Sequence, residues 1–193
     1  MARVALHITG DPEADSFLSE DPLALIIGML LDQQVTMEKA FSSPAELARR
    51  LGRPFDAAAI AAMPLERLTE LFKERPALHR YPGSMAGRVQ ELCRVIAEDY
   101  DGQADAIWRD AESGKELVER LNSLPGFGER KAKIFAALLG KQLGVEPEGW
   151  QAATTPYGNV DAFLSVADIT SPETLEKVRA NKRAIKAKAH AKA

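Results

Sequence analysis

The twelve residues Leu124–Phe135, LPGFGERKAKIF, set a proline and two glycines between two apolar helical patterns and load the second with cations. Pro125 ends the first helix, because it lacks an N–H and its ring clashes with the preceding turn. Gly126 and Gly128 reach positive φ without steric cost and present no Cβ to an approaching backbone. A second helix starting at residues 127–129 then leaves several N–H groups unpaired at the positive end of the helix dipole. That is an anion site, and a phosphate diester fits it. A plain helix–turn–helix connection would use the same residues, since Pro-Gly turns are common.

Outward from the turn, helical patterns dominate. Ser113–Leu121 reads as the helix before it, and the helix after it ends near Leu139–Gly140. Further upstream, Asp21-Pro22 opens a helix whose apolar face is Leu23, Ile26, Ile27, Leu30 and Leu31. Asp32-Gln33-Gln34 interrupts it before Met37, Ala40 and Phe41, and Ser43-Pro44 is read as opening another helix closed near Leu51-Gly52. Two short helices, 56–62 and 64–72, precede a turn-rich stretch at 74–83, ERPALHRYPG. Ser84 is expected to cap a long helix through Tyr100, and residues 105–111 a short one. Residues 145–159 carry two prolines and two glycines and read as a long loop. Ser171-Pro172-Glu173 starts the last helix. Residues 2–8 are the one short strand candidate.

Composition narrows the class. The chain has 193 residues, 46% hydrophobic, enough for one substantial core or two small lobes sharing a cleft. No stretch has the 18 uninterrupted apolar residues of a membrane span, and the N-terminal residues lack a signal-peptide pattern. We therefore expect a cytoplasmic protein without a membrane partner. Cys93 is the single cysteine, which excludes an internal disulfide and any four-cysteine zinc or iron–sulfur site. Net charge is −3, but seven Lys/Arg and no acid follow Glu176, leaving 18 basic and 28 acidic residues before them. A polyanion can meet that local basic surface although the body is acidic. The same tail also reads as a solvated Ala/Lys helix.

Three segments in series resemble one family. LNSLPGFGERKAKIFAALLG (Leu121–Gly140) resembles the helix-hairpin-helix of the HhH-GPD base-excision DNA glycosylases. LIIGMLLDQQVTMEKAF is similar to that family's early helix with its Gln pair, and YPGSMAGRVQELCRVIAEDY to its segment of a glycine, a basic residue and a long helix. The resemblance covers roughly residues 20–140. It implies an all-α helix-hairpin-helix glycosylase fold with two helical lobes flanking a cleft. All 193 residues would form one domain, with the hairpin at 115–140 and a basic C-terminal helix at 172–190. It further implies that the backbone of Leu124, Pro125, Gly126, Phe127 and Gly128 holds one DNA strand, with a monovalent cation on the hairpin carbonyls. Gln33 and Gln34 would face the DNA, and Arg130, Lys131 and Lys133 would contact phosphates. Solvated amides and a solvated helix face are the plain alternatives for these side chains.

A glycosylase extrudes its target nucleotide and stabilises an oxocarbenium-like sugar with a carboxylate. Bifunctional members place a Lys two residues after the second hairpin glycine to form a Schiff base. Here that residue is Arg130, which stays protonated, and Lys131 lies about 100° further round the helix. The resemblance thus points to base removal without a lyase step. For the carboxylate, Glu146 and Glu148 lie closest by spacing from Gly140, Asp161 by the local pattern NVDAF, and Asp168 by its place before the last helix. Asp168 is taken first and Asp161 second; a cap or turn role suits either equally. Without cluster or Schiff-base lysine, the chain most resembles the alkylpurine-type branch. Its partner would be duplex DNA with damaged bases, bound by a monomer, on the nucleoid in a prokaryote. Tyr81, Trp108, Trp150 and Tyr157 are the aromatic candidates for stacking on a cationic alkylated base, and His79 could line the same cleft. Half-buried core positions are the plain reading of the aromatics. A non-catalytic hairpin DNA-binding protein, or a helical module whose hairpin meets protein, would carry many of the same features.

Overall fold

Two Asp-Pro steps set the first two helices of the computed structural model, which describes residues 5–52 and 54–192. Asp11 caps α1 (Pro12–Glu20) by accepting from Glu13 N. Asp21 caps α2 (Pro22–Leu31) by accepting from Leu23 N and Ala24 N. Sequence reading missed α1, although its Asp-Pro signal is the one that found α2. Nine consecutive residues of α2, Leu23 to Leu31, are buried, so this helix is apolar all round and central.

α3 (Met37–Leu51) packs on α1 and α2, while α4 (Ala57–Ala62) and α5 (Leu65–Lys73) pack on α6 (Pro82–Asp99). The second group is α7 (Ala106–Arg109), α8 (Gly114–Asn122), α9 (Glu129–Leu143) and α10 (Trp150–Ala153). A 3-10 turn, Val166–Asp168, and α11 (Pro172–Ala191) complete the chain. One hydrophobic cluster runs through both groups. Among the described residues there is no strand, and the all-α expectation holds.

Five local expectations need correction. Ser43-Pro44 does not open a helix: Thr36 caps α3 through Lys39 N, and the helix runs through Pro44. The Ser43 hydroxyl instead lies 2.7 Å from both Lys39 O and Leu78 O. Ser84 is not a cap either, since Pro82 already occupies the first turn of α6 behind Tyr81. Gly140 does not stop α9, which continues to Leu143 and ends at Gly144 with φ 68°. Gly140 is needed where it is because a Cβ there would lie 2.5 Å from Trp150 Cζ3. The segment read as a loop holds α10, which seats that tryptophan. Of the strand candidate, residues 2–4 lie outside the described residues. Residues 5–8 form no strand because the N–H groups of Leu6 and Ile8 bond to Ser19 Oγ and Asp15 Oδ1.

Candidate nucleic-acid interface

The hairpin is anchored by its apolar residues and bare at its glycines. Leu124 and Phe127 are buried, with the Phe127 ring edge-on to Phe135 at 6.3 Å. Gly126, at φ 79°, sits so close to α2 that a Cβ would come within 2.2 Å of Leu30 Cδ1. Gly128 is the N-cap of α9, and among the described residues no side chain accepts from the first N–H groups of that helix. Gly126, Gly128, Glu129 and Arg130 are exposed around those groups. Lys133 is held by Glu129 at 2.8 Å.

Lys131 points inward. Its Nζ donates to Leu30 O at 2.9 Å and stands 5.9 Å from the centre of the Phe127 ring. Burial lowers its pKa to about 8, with Asp32 opposing the shift and Arg88 adding to it. The expected outward cation is therefore a tie between the hairpin helix and the end of α2.

That end collects several bonds. Gln33 Nε2 donates to Leu30 O at 3.0 Å, and Gln33 Oε1 accepts from Arg88 Nη1 at 3.3 Å. The buried His79 places Nε2 3.2 Å from Leu31 O and 2.9 Å from Gln33 O, while its Nδ1 accepts from Tyr81 N at 3.0 Å. Two carbonyls on Nε2 and an N–H on Nδ1 fit only the neutral ring protonated at Nε2. Burial lowers the His79 pKa accordingly. The stretch carrying His79 is pinned to α3 by Arg50, whose guanidinium donates to the carbonyls of Leu71, Glu74 and Pro76. Gln33 is thus bonded into the junction, whereas Gln34 is exposed in a left-handed conformation at φ 57°.

Sequence reading passed over Asp32, the residue between α2 and the glutamines. It is half-buried, and burial raises its pKa against the opposing charges of Lys182, Lys131 and Arg130. Among the described residues, no hydrogen bond or ion pair holds its carboxylate. It lines a cavity of about 330 Å³ between α11 and the turn before α3, together with Thr36, Glu38, Arg179, Lys182 and Arg183.

The carboxylates singled out from the sequence stand elsewhere. Asp168 is buried and fully engaged: Oδ1 accepts from Lys141 Nζ at 2.6 Å, and Oδ2 from the N–H groups of Leu164 and Ser165 at 2.9 and 3.4 Å. With Ser165 it forms the capping box of the 3-10 turn. Lys141 is ten residues from Lys131, about 15 Å along α9. Asp161 is exposed in a left-handed conformation at φ 53°, and Glu146 and Glu148 are exposed. The four aromatic candidates are not brought together. Trp108 is in the core against Phe135, Trp150 lies on Gly140, and Tyr157 packs on the core cluster. Tyr81 alone, 44% exposed, adjoins the junction beside His79.

A family model described as "HhH-GPD superfamily base excision DNA repair protein" matches residues 27–192. No curated protein matches the chain.

Proposed function

Because the chain belongs to the HhH-GPD superfamily of base excision DNA repair proteins, we propose that it is a monofunctional glycosylase hydrolysing the N-glycosidic bond of an alkylated base in duplex DNA. The observation that carries this reading is the bare, exposed start of α9, locked onto the end of α2 beside the Gln pair. A strand whose phosphate sits on those N–H groups passes Gln34, the one glutamine free to enter the duplex. The Ser123 and Phe127 carbonyls accept no hydrogen bond among the described residues, which leaves them free for the monovalent cation proposed at the hairpin. Exposed cations of α11 and its C-cap, Lys186, Lys188 and Lys192, add salt-dependent attraction.

The absence of a lyase step rests on Arg130 and Lys131. Arg130 occupies the lysine position of the bifunctional members and cannot lose its proton. Lys131 has the lowered pKa of an activated amine, but its nitrogen is bonded to Leu30 O inside a helix junction. Tyr81 is the aromatic face best placed for a cationic base. Action as a monomer in the cytoplasm, without an iron–sulfur cluster, completes the proposal.

Methylated duplex DNA tests it: the protein should release free methylpurine. Tight, salt-sensitive binding without any release would leave a non-catalytic hairpin DNA-binding protein. No binding at low salt would remove both readings.

A further inference from the structure

Glycosidic cleavage needs a carboxylate that is free to answer the charge developing on the sugar. Asp168 does not meet that need, since both its oxygens are spent on the 3-10 turn and Lys141. We infer that Asp32 is the catalytic carboxylate of this chain, an inference that rests on the glycosylase reading above.

Three observations converge on it. The Asp32 carboxylate is unbonded among the described residues and half-buried at the edge of an open cavity. Its distance from the hairpin is fixed, because Leu30, two residues earlier, packs on Gly126 and takes the Lys131 ammonium on its carbonyl. The residues immediately after it are Gln33 and Gln34, so a nucleotide displaced by Gln34 leaves the stack beside this carboxylate. Cations from two other elements face the same place: Arg130 and Lys131 of α9, and Lys182 of α11. Arg183 and Arg179 line the cavity too, Arg179 being paired with Glu38 and Glu176. These charges suit the phosphates on either side of an extruded nucleotide and oppose the burial that raises the carboxylate's pKa.

In the step itself, the C1′–N bond breaks and its electron pair leaves with the alkylated base, which departs neutral. The sugar becomes an oxocarbenium ion beside the Asp32 carboxylate. Water adds to C1′, Asp32 accepts its proton, and an abasic hydroxyl remains.

Binding to abasic analogues isolates this role from the choice of lesion. Duplexes carrying either a cationic pyrrolidine or a neutral tetrahydrofuran at one site are titrated with wild type, Asp32→Asn and Asp161→Asn. Wild type should prefer the pyrrolidine by about 30-fold, a ratio one close charge pair can supply. Asp32→Asn should reduce the preference to within about threefold while tetrahydrofuran affinity and melting temperature hold. Loss of the preference in Asp161→Asn but not in Asp32→Asn would overturn the inference and leave the glycosylase reading standing. An unfolded Asp32→Asn would contradict the unbonded carboxylate, and failure to bind either duplex would remove both.

Discussion

Replacing each hairpin glycine by alanine separates the two jobs of the turn. At Gly126 the backbone is left-handed, φ 79°, and a new Cβ would stand 2.2 Å from Leu30 Cδ1. Holding a residue with a Cβ in that conformation costs about 1–2 kcal/mol. Leu30 is fully buried, so moving its methyl adds about 1–3 kcal/mol of overpacking. The sum, about 2–5 kcal/mol, corresponds to a melting temperature lowered by about 4–20 °C for a chain of this size. At Gly128 the backbone is extended, φ −100° and ψ 176°, and no described residue lies within 4 Å of the place an added Cβ would take. Gly128→Ala should therefore melt within about 2 °C of wild type, or slightly higher through a less flexible unfolded chain. Its methyl would stand where a phosphate approaches the α9 N–H groups, and losing one charge-assisted hydrogen bond weakens duplex binding by about 10-fold. Thermal unfolding and fluorescence anisotropy with a short duplex read both quantities. Equal melting of the two variants would refute the packing of Gly126 on α2. Unchanged DNA affinity in Gly128→Ala would refute the placement of the strand.

Two further outcomes follow from the junction behind the hairpin and one from the turn that holds Asp168. His79 has a lowered pKa in the fold, so the unfolded chain takes up the proton first as pH falls below about 6.5. Stability should drop on acidification through that range, and His79→Gln should flatten this part of the curve in denaturant titrations at pH 5–7. Lys131 titrates at about 8 in the fold and near 10.5 unfolded, so stability should rise with pH between those values. The full shift would be about 3 kcal/mol, and partial exposure reduces the expected gain to about 1–2 kcal/mol, absent in Lys131→Met. Asp168→Ala removes a cap and a partner of Lys141 at once and should cost about 2–4 kcal/mol, seen as a lower melting temperature; Asp161→Ala, exposed and without a partner among the described residues, should cost about 1 kcal/mol or less, from its left-handed backbone.

What could be read from the chain divides along the range of the forces involved. LPGFG was legible because Pro125 and the glycines act on their own backbone, and Asp21-Pro22 because a cap is local. Ser43-Pro44 carries the same local signal yet lies inside α3. There Thr36 had already started the helix, and the Ser43 hydroxyl is used by the Lys39 and Leu78 carbonyls. Gly140 looked like a stop because nothing in the nearby sequence announces Trp150 against it. The site was harder still. Lys131 and Leu30 are 101 residues apart, and only their packing turns the lysine inward and brings cations from α9 and α11 to Asp32. Asp168 drew notice through its position in the chain, whereas the structure gives its carboxylate to a capping box and to Lys141.

The most direct measurement is a single-turnover reaction on a duplex with one alkylated base, each sample divided between direct and alkali-treated analysis. The expected result is an intact strand before alkali and cleavage at the lesion after it, because base loss leaves an abasic site that the protein does not open. Cleavage before alkali would establish a lyase step and return Lys131 to the chemistry. No alkali-labile site, with the duplex bound, would contradict the glycosylase itself.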